Sequence, residues 1–387
     1  MKTAVLALDL SSAYDLVCHK MLLEKCRLLG IGSLTLKWLH DYLHNRFQYV
    51  EVNGVKSPTT EMGDFGVIQG APSSGDLFLI FVNNLPDLGK DIDDKNSPST
   101  KQFVDDLNSV ISAKTNKELM IKTLAEFNRL ERQLINHRMQ INSDKTQLMC
   151  IKPDTELKST GLEIGKSVIK HQHTIKILGL TLCDDMKYDE HLTKGPKNML
   201  KSINAKCAIL RLIKPFISSE NLAIVGSSLI NSTILYEAPV WGTTSQSNIT
   251  QIQSGQTKAA RLVSGYKKKG QTLEHRQTTL NLINRPSTEQ IINTATLNVI
   301  KKAITANSSH DINAMFATRE PKHLRHGQAQ IISHKGPIKR PSNQFTTNGT
   351  ELFNKLPYQI RQSTLSCTKF KQEVKTYLRT VNLLQMD

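Results

Sequence analysis

Asp105 and Asp106 stand side by side in the stretch 101–113, preceded by Phe103 and Val104 and followed by Leu107, Val110 and Ile111. The pair interrupts a run whose composition otherwise specifies a buried strand. Buried carboxylates are costly without a basic partner or a bound cation, so this stretch reads as a charged hairpin that needs one or the other. Two further Asp-Asp pairs serve as internal controls. Asp93 and Asp94 lie in a polar run from Asp91 to Thr100, and Asp184 and Asp185 follow a strand-like stretch and precede Met186 and Lys187. Both of these read as solvated turns.

Asp9 ends another apolar run, residues 4–8, just ahead of Tyr14 and Asp15. A carboxylate at the carboxyl end of a strand is placed for a metal or a substrate, or else caps the following helix. Brought to neighbouring strand ends, Asp9, Asp105 and Asp106 form an oxygen-only ligand set. Such a set favours Mg²⁺, with Mn²⁺ an alternative, over zinc. Two such ions about 3.5–4 Å apart activate an attacking 3′-hydroxyl and stabilise a leaving pyrophosphate. Lys145, in the turn before a strand, is either a surface lysine or the group that protonates or neutralises that phosphate. Gln69 and Gly70 belong to a Gly/Ser-rich loop, residues 66–75, that leads into an apolar helix. Glycine there lets a ligand approach backbone N–H groups, although a plain loop has the same composition.

The elements that must position these residues follow from periodicity. Residues 4–8 form a strand, then come a helical pattern with Leu22, Leu23, Cys26 and Leu29 on one face, closed by Gly30 and Gly32, and a second helix over 34–43. Asn53-Gly54 between apolar runs signals a type I′ hairpin. An apolar helix over 77–86 ends at its proline, and an amphipathic helix over 116–137 leads to a strand at 147–151. Short strands fill 158–182, and from Tyr188 the chain turns helical and basic, with patterns to Ile213, over 220–235 and over 249–264, then Lys267, Lys268 and Lys269. This alternation predicts an α+β fold whose first part is a split βαβ, ferredoxin-like sheet with helices on one face. The expected organisation is 1–186, 187–265 and 266–387.

Of the 387 residues, 50 are Lys or Arg and 34 Asp or Glu, a net charge of +16. Residues 1–110 hold 10 basic and 14 acidic side chains, leaving 40 and 20 in 111–387, so the excess lies entirely in the later part. That asymmetry points to a polyanion partner, most simply nucleic acid, while a membrane face would also suit a basic surface. The six cysteines form no C-x-x-C pair, which argues against a zinc knuckle or a disulfide framework and for an intracellular setting, nucleus or cytoplasm. The opening apolar run is cut by Asp9 before reaching the roughly 7–15 residues of a signal peptide. No stretch reaches the about 18 apolar residues of a membrane span.

The order Asp9-x-x-x-Ala13-Tyr14-Asp15, Gln69-Gly70-Ala71, Phe103-Val104-Asp105-Asp106, Asn142-x-x-Lys145-Thr146 and Leu178-Gly179 resembles the successive palm motifs of reverse transcriptases, specifically those of non-LTR, LINE-like retrotransposons. Downstream, residues 236–242, Gln256 with Ala260 and Arg261, Phe353-Asn354-x-Leu356-Pro357, Ile360-Arg361 and Phe370-Lys371 are similar to the region after the polymerase in the same elements. The resemblance implies a right-hand polymerase palm over 1–186, a basic helical thumb over 187–265 and a mainly helical C-terminal region over 266–387. It implies RNA-directed DNA polymerase activity, with an RNA template, a DNA primer, their hybrid and dNTPs as partners. Asp9 and Asp105 would be metal ligands with Asp106 the adjacent third carboxylate. Tyr14 would stack under the incoming sugar, Gln69 and Gly70 would contact nucleotide and template, and Leu178 and Gly179 would lie at the primer grip. Four positions depart from the usual pattern: Ala71, Gly75, Asn84 and Val104. None is a metal ligand. The family places its fingers ahead of Asp9, so the chain is expected to be a fragment starting inside the palm, with weak or no turnover. Two other classes share these residues: a non-catalytic nucleic-acid-binding remnant and a metal-dependent nuclease.

Overall fold

A strand that alternates Ala4, Leu6 and Leu8 toward one face and Thr3, Val5 and Ala7 toward the other can be covered on both sides, and β1 (Lys2–Leu8) is one of the two inner strands of the main sheet. The computed structural model describes residues 1–90, 97–159, 161–164, 167–265, 280, 285–305, 308–319, 330–333, 345–361 and 365–384. Asp93, Asp94 and Lys267–Lys269 lie outside the described residues. Two compact units divide the chain, Met1–Met186 and Lys187–Asp387.

In the first unit, α1 (His19–Leu28) and α2 (Ser33–Leu43) follow β1. Four two-residue strands come next: β2 (Phe47–Gln48) pairs with β5 (Thr60–Glu61), and β3 (Glu51–Val52) pairs with β4 (Val55–Lys56). Asn53 and Gly54 both have positive φ, the backbone of the I′ turn their sequence specifies. Then come α3 (Ser74–Val82), β6 (Ser99–Phe103), β7 (Asp106–Ala113), α4 (Asn116–Asn136), β8 (Gln147–Ile151) and the short α5 (Thr155–Ser159). Two hairpins close the unit: β9 (Gly161–Ile164) with β10 (Ser167–Lys170), and β11 (Thr174–Ile177) with β12 (Leu180–Cys183). The main sheet runs β6-β7-β1-β8, every neighbour antiparallel. This is the split βαβ order expected of the sequence, because the α1–α3 segment and α4 are the two crossovers.

The face formed by Ala4, Leu6, Leu8, Leu107 and Ile111 meets Leu22, Phe78, Phe81, Phe127 and Leu130 from the helices, all buried. On the opposite face Val5 and Met149 are covered by Ile175 of the β11–β12 hairpin. Polar groups lock α4 to the sheet. Glu126 is buried, accepts from Thr100 Oγ1 at 2.5 Å, and is held by both Nε and Nη2 of Arg129 at 2.8 and 2.7 Å. Arg129 also donates to the carbonyls of Pro86 and Leu88, so one guanidinium ties helix, hairpin and connecting loop together.

The helix expected over 77–86 instead spans Ser74–Val82, well short of Pro86. Lys25 Nζ donates to the Phe81 carbonyl, one of those left open where the helix stops, and to the side-chain Oδ1 of Asn84 at 3.1 Å. Asp184 corrects the reading of its pair as a solvated turn. It is buried, with His171 Nε2 at 3.2 Å and His173 Nδ1 at 2.8 Å.

The second unit is built on α6 (Met199–Ile213), α7 (Ser219–Leu235), α8 (Ala238–Trp241) and α9 (Gln246–Ser264). The single helical pattern from Tyr188 to Ile213 is in fact broken: a π-turn over Glu190–Lys194 ends at Gly195-Pro196, and Asn198 caps α6 by accepting from Lys201 N. Gly255 lets α9 approach α6; a Cβ there would stand 3.0 Å from Ile203. Next come α10 (Thr288–Ile304), α11 (His310–Asn313), β13 (Phe316–Arg319) paired with β14 (Gln330–Ser333), α12 (Phe345–Asn354), α13 (Tyr358–Arg361) and α14 (Cys367–Leu384). Leu297, Ile300, Phe353, Leu356 and Phe370 form their core. Asn354 brackets β14, its amide oxygen accepting from Ile331 N and its amide nitrogen donating to Ile331 O. The motif residues Trp241, Phe353, Leu356 and Phe370 are therefore buried packing.

Candidate active site

The carboxylates gather where β1 and β7 run out. Register pairs Leu8 with Leu107, so the next positions outward, Asp9 and Asp106, face one another on the side of the sheet away from α4. Phe103 pairs with Asp106, which leaves Val104 and Asp105 as a two-residue turn. Val104 has φ +58, a region that costs a β-branched residue about 1–2 kcal/mol and that glycine usually fills at this turn position. Its carbonyl accepts from Gln102 Nε2 at 2.8 Å, which helps hold the turn.

Beyond β1 the chain continues against residues 140–142. Asn142 N donates to the Asp9 carbonyl at 2.8 Å, Ser11 N donates to Gln140 O at 3.0 Å, and Leu10 bridges Ile141. Asn142 then folds the turn that carries Lys145, accepting from Thr146 N and Oγ1. Lys145 Nζ consequently reaches 3.4 Å from Asp9 Oδ2. That oxygen is buried and has no hydrogen-bond partner; the ammonium stands at ion-pair distance without hydrogen-bond geometry. The carboxyl of Asp106 is pushed above its ordinary range, first by burial and then by the charges of Asp105 and Asp9. A buried carboxylate oxygen without a hydrogen-bond partner, with Asp106 opposite and Asp105 beside it in sequence, fits a hard dication held by oxygen ligands.

Beside this cluster lies the loop of Gln69 and Gly70. Gly66 N donates to Val17 O and Val67 N to Tyr14 O, each at 2.9 Å, and Cys18 bridges Phe65, so the loop's root is stitched to the segment after Asp9. Gly66, at φ +84, is in a region that side chains rarely adopt, and a Cβ there would crowd the Asp15 carbonyl oxygen at 3.2 Å. Gln69 and Gly70 are exposed at the tip, with Gly70 at φ +88 and Ala71 N donating to Ile68 O. The Tyr14 ring stacks on Phe78 of α3, centroids 4.7 Å apart and planes within 10°. Leu178 and Gly179 form the β11–β12 turn, both at positive φ, and both exposed. Lys176 N, two residues earlier, donates to Gln147 Oε1 at 3.5 Å, and Gln147 pairs with Ala7, so this hairpin points toward the Asp9 end of the sheet.

The structure thus sets Asp9 and Asp106 at facing strand ends with Lys145 beside Asp9 and Asp105 in the adjoining turn, sets Tyr14, Gln69 and Gly70 on an adjoining, pinned loop, and places Leu178 and Gly179 on a separate hairpin. Sequence reasoning missed the Glu126–Arg129 pair that anchors the carboxylate hairpin from behind. Its signal was an acid and a base three residues apart on the apolar side of a helix, spacing that sets both on one face.

Residues 1–182 match the family model described as reverse transcriptase (RNA-dependent DNA polymerase). The chain is 23% identical over 265 residues to the RNA-directed DNA polymerase from mobile element jockey of Drosophila melanogaster, covering 67% of this chain and 28% of that protein. It is 22% identical over 260 residues to the jockey protein of Drosophila funebris, with the same coverage. The chain therefore spans little more than a quarter of the length of these relatives. Among solved structures, apo telomerase from Candida tropicalis is similar at a TM-score of 0.39 and 13% identity, over 81% of this chain and 52% of that one.

Proposed function

Since the chain belongs, through residues 1–182, to the reverse transcriptases, and by its motif order to those of non-LTR elements, we propose that it carries the RNA-directed DNA polymerase centre of such an element. The observation that carries this reading is the placement of Asp9 and Asp106 at facing strand ends, with Asp105 next to them in the turn, Asp9 Oδ2 buried without a hydrogen-bond partner and Lys145 at ion-pair distance. Asp9 and Asp105 hold divalent metal, with Asp106 adding the third charge; Mg²⁺ is the ion and Mn²⁺ its substitute. When bound, the metal supplies activation of a primer 3′-hydroxyl and stabilisation of the leaving pyrophosphate. Lys145, on its flexible stem beside Asp9, neutralises or protonates the departing phosphate. Tyr14, braced on Phe78, offers a flat face to the incoming sugar, and the exposed Gln69–Gly70 turn contacts nucleotide and template. Leu178 and Gly179 hold the primer strand.

The partners are an RNA template, a DNA primer, the hybrid they form and dNTPs, in nucleus or cytoplasm. The positive charge of the later residues tracks the hybrid's phosphates. In domain terms, 1–186 is the palm, 187–265 the thumb and 266–387 the C-terminal region. Among the described residues no helix is long and apolar enough to cross a membrane.

The test is primer extension on an RNA template with Mg²⁺ by residues 1–387, alone and joined to an upstream segment of a related element, with hybrid binding measured alongside. Extension in either form that Asp105→Asn abolishes is expected. Extension untouched by Asp105→Asn, or hybrid binding with no extension in both forms, overturns the polymerase reading; degradation of the template strand points to a nuclease instead.

A further inference from the structure

A second group of metal-competent side chains lies outside the polymerase carboxylates. His19 opens α1, His44 closes α2, and Asp64 sits in the turn of the strap that leads into the Gln69 loop. The backbone makes this meeting: His19 N donates to Asp64 O at 3.1 Å, Met62 N to Arg46 O at 2.9 Å, and Cys18 bridges Phe65. Each of the three side chains offers a donor atom, and these atoms all lie within 4.8 Å of one another.

The hydrogen bonds of the two rings leave the nitrogens a metal needs. His19 is wholly buried; its Nε2 lies 2.7 Å from the Gly66 carbonyl, an acceptor, so that nitrogen carries the proton. Its Nδ1 is then an unprotonated lone pair, and it is buried with no hydrogen-bond partner. His44 Nδ1 lies 2.9 Å from the His40 carbonyl, which fixes its proton in the same way. Its Nε2 is left as a lone pair 3.7 Å from Asp64 Oδ1. Rings oriented by backbone carbonyls are the usual support of histidine ligands. The Arg46 guanidinium, which donates to the same Gly66 carbonyl at 2.6 Å, comes within 3.4 Å of His19 Nε2, the nitrogen already committed.

We propose that His19 Nδ1, His44 Nε2 and an Asp64 carboxylate oxygen bind one zinc ion, with a fourth position open to water. Two imidazoles and a carboxylate suit zinc and its late first-row neighbours far better than Mg²⁺. Bonds of about 2.0–2.1 Å set tetrahedral ligands roughly 3.4 Å apart, close to the 3.7 Å already between His44 and Asp64. The exposed Asp64 side chain rotates to close the rest. The ion clasps the start of α1, the end of α2 and the strap whose next residues, Gly66 and Val67, are bonded to Val17 and Tyr14. Its occupancy therefore stiffens the root of the Gln69–Gly70 loop.

Calorimetric titration of the chelated, purified chain with Zn²⁺, in excess Mg²⁺ so that the polymerase carboxylates are filled, tests this. One equivalent is expected in the wild type, in Asp105→Asn and in His40→Ala, with affinity falling at least about 100-fold in His44→Gln and in Asp64→Asn. Co²⁺ on the wild type gives a readout that needs no variant, since a four-coordinate site yields intense visible bands. Hydrogen exchange over residues 62–70 should slow when the ion binds. Failure of the wild type to bind micromolar Zn²⁺, affinity unchanged in both His44→Gln and Asp64→Asn, or a faint octahedral Co²⁺ spectrum overturns the site.

Discussion

Replacing Asp106 by asparagine should stabilise the chelated protein, although it deletes a residue of the candidate active site. The carboxyl of Asp106 is raised by burial, Asp105 and Asp9, so its ionised form is disfavoured in the fold. That cost is fully present at pH above the folded pKa and disappears as pH falls below the unfolded value. Facing Cβ atoms on paired strands lie about 5 Å apart, and two unit charges at that distance repel by about 3 kcal/mol at an effective dielectric of 20 and about 0.8 kcal/mol in water. Because the side chain is only partly buried, the lower end applies, about 1 kcal/mol after screening. For a unit of this size that is a rise of about 2–4 °C in melting temperature. Mg²⁺ should reverse the order: at about 100 times its Kd a bound ion adds about 2.7 kcal/mol, and the variant keeps less of it. Thermal melts in EDTA and in Mg²⁺, for wild type, Asp106→Asn and Asp9→Asn, decide the matter. A destabilised Asp106→Asn in EDTA, or Mg²⁺ gains equal in all three proteins, would refute the argument that the carboxylates repel each other and share a cation.

Two more outcomes follow from the same unit. Arg129→Met strands the buried Glu126, which keeps Thr100 as a partner but loses its counter-charge, so urea unfolding should show a loss of about 3–5 kcal/mol; a loss under 1 kcal/mol would mean that the pair does not anchor the hairpin. Lys25, pushed down to about 8 by burial, holds fewer protons folded than unfolded between about pH 8 and its ordinary value of 10.5. Stability should therefore rise with pH across that window, and the difference between wild type and Lys25→Met should grow in favour of wild type from pH 7.5 to 9.5; a flat difference would refute the assignment.

What the sequence made legible and what it did not divide along a physical line. Asp9, Asp105 and Asp106 stand out as candidates because each is a charge inside or at the end of an apolar run, an inconsistency visible over a window of ten residues. The sheet order followed from helix and strand periodicities together with the rule that crossovers cover one face. Asp184 was misread because nothing local distinguishes it from a turn residue; what buries it is the pair His171 and His173, which the β11–β12 hairpin brings back to its foot. The same holds for His19, His44 and Asp64, separated by 25 and 20 residues. Their only local trace is the i, i+4 pair His40 and His44 on one face of α2, where His40 lends its carbonyl and a stacked ring 4.0 Å away.

Val104 shows why a residue that violates a local rule is informative at a site. Glycine at its position would relax the turn, yet a β-branched residue is held at φ +58 between Phe103 and Asp105. Strain of this kind persists only where the surroundings over-determine the backbone. Here they do: β6 and β7 pair on both sides of the turn, Gln102 binds the Val104 carbonyl, and the network of Thr100, Ser109, Glu126 and Arg129 fixes the hairpin to α4 from beneath. A hairpin held from below and closed by a stiff residue cannot easily swing its two carboxylates away from Asp9 when no cation is present. The repulsion is stored in the fold, and a metal-binding centre needs that arrangement, because its ligands are then ordered before the ion arrives.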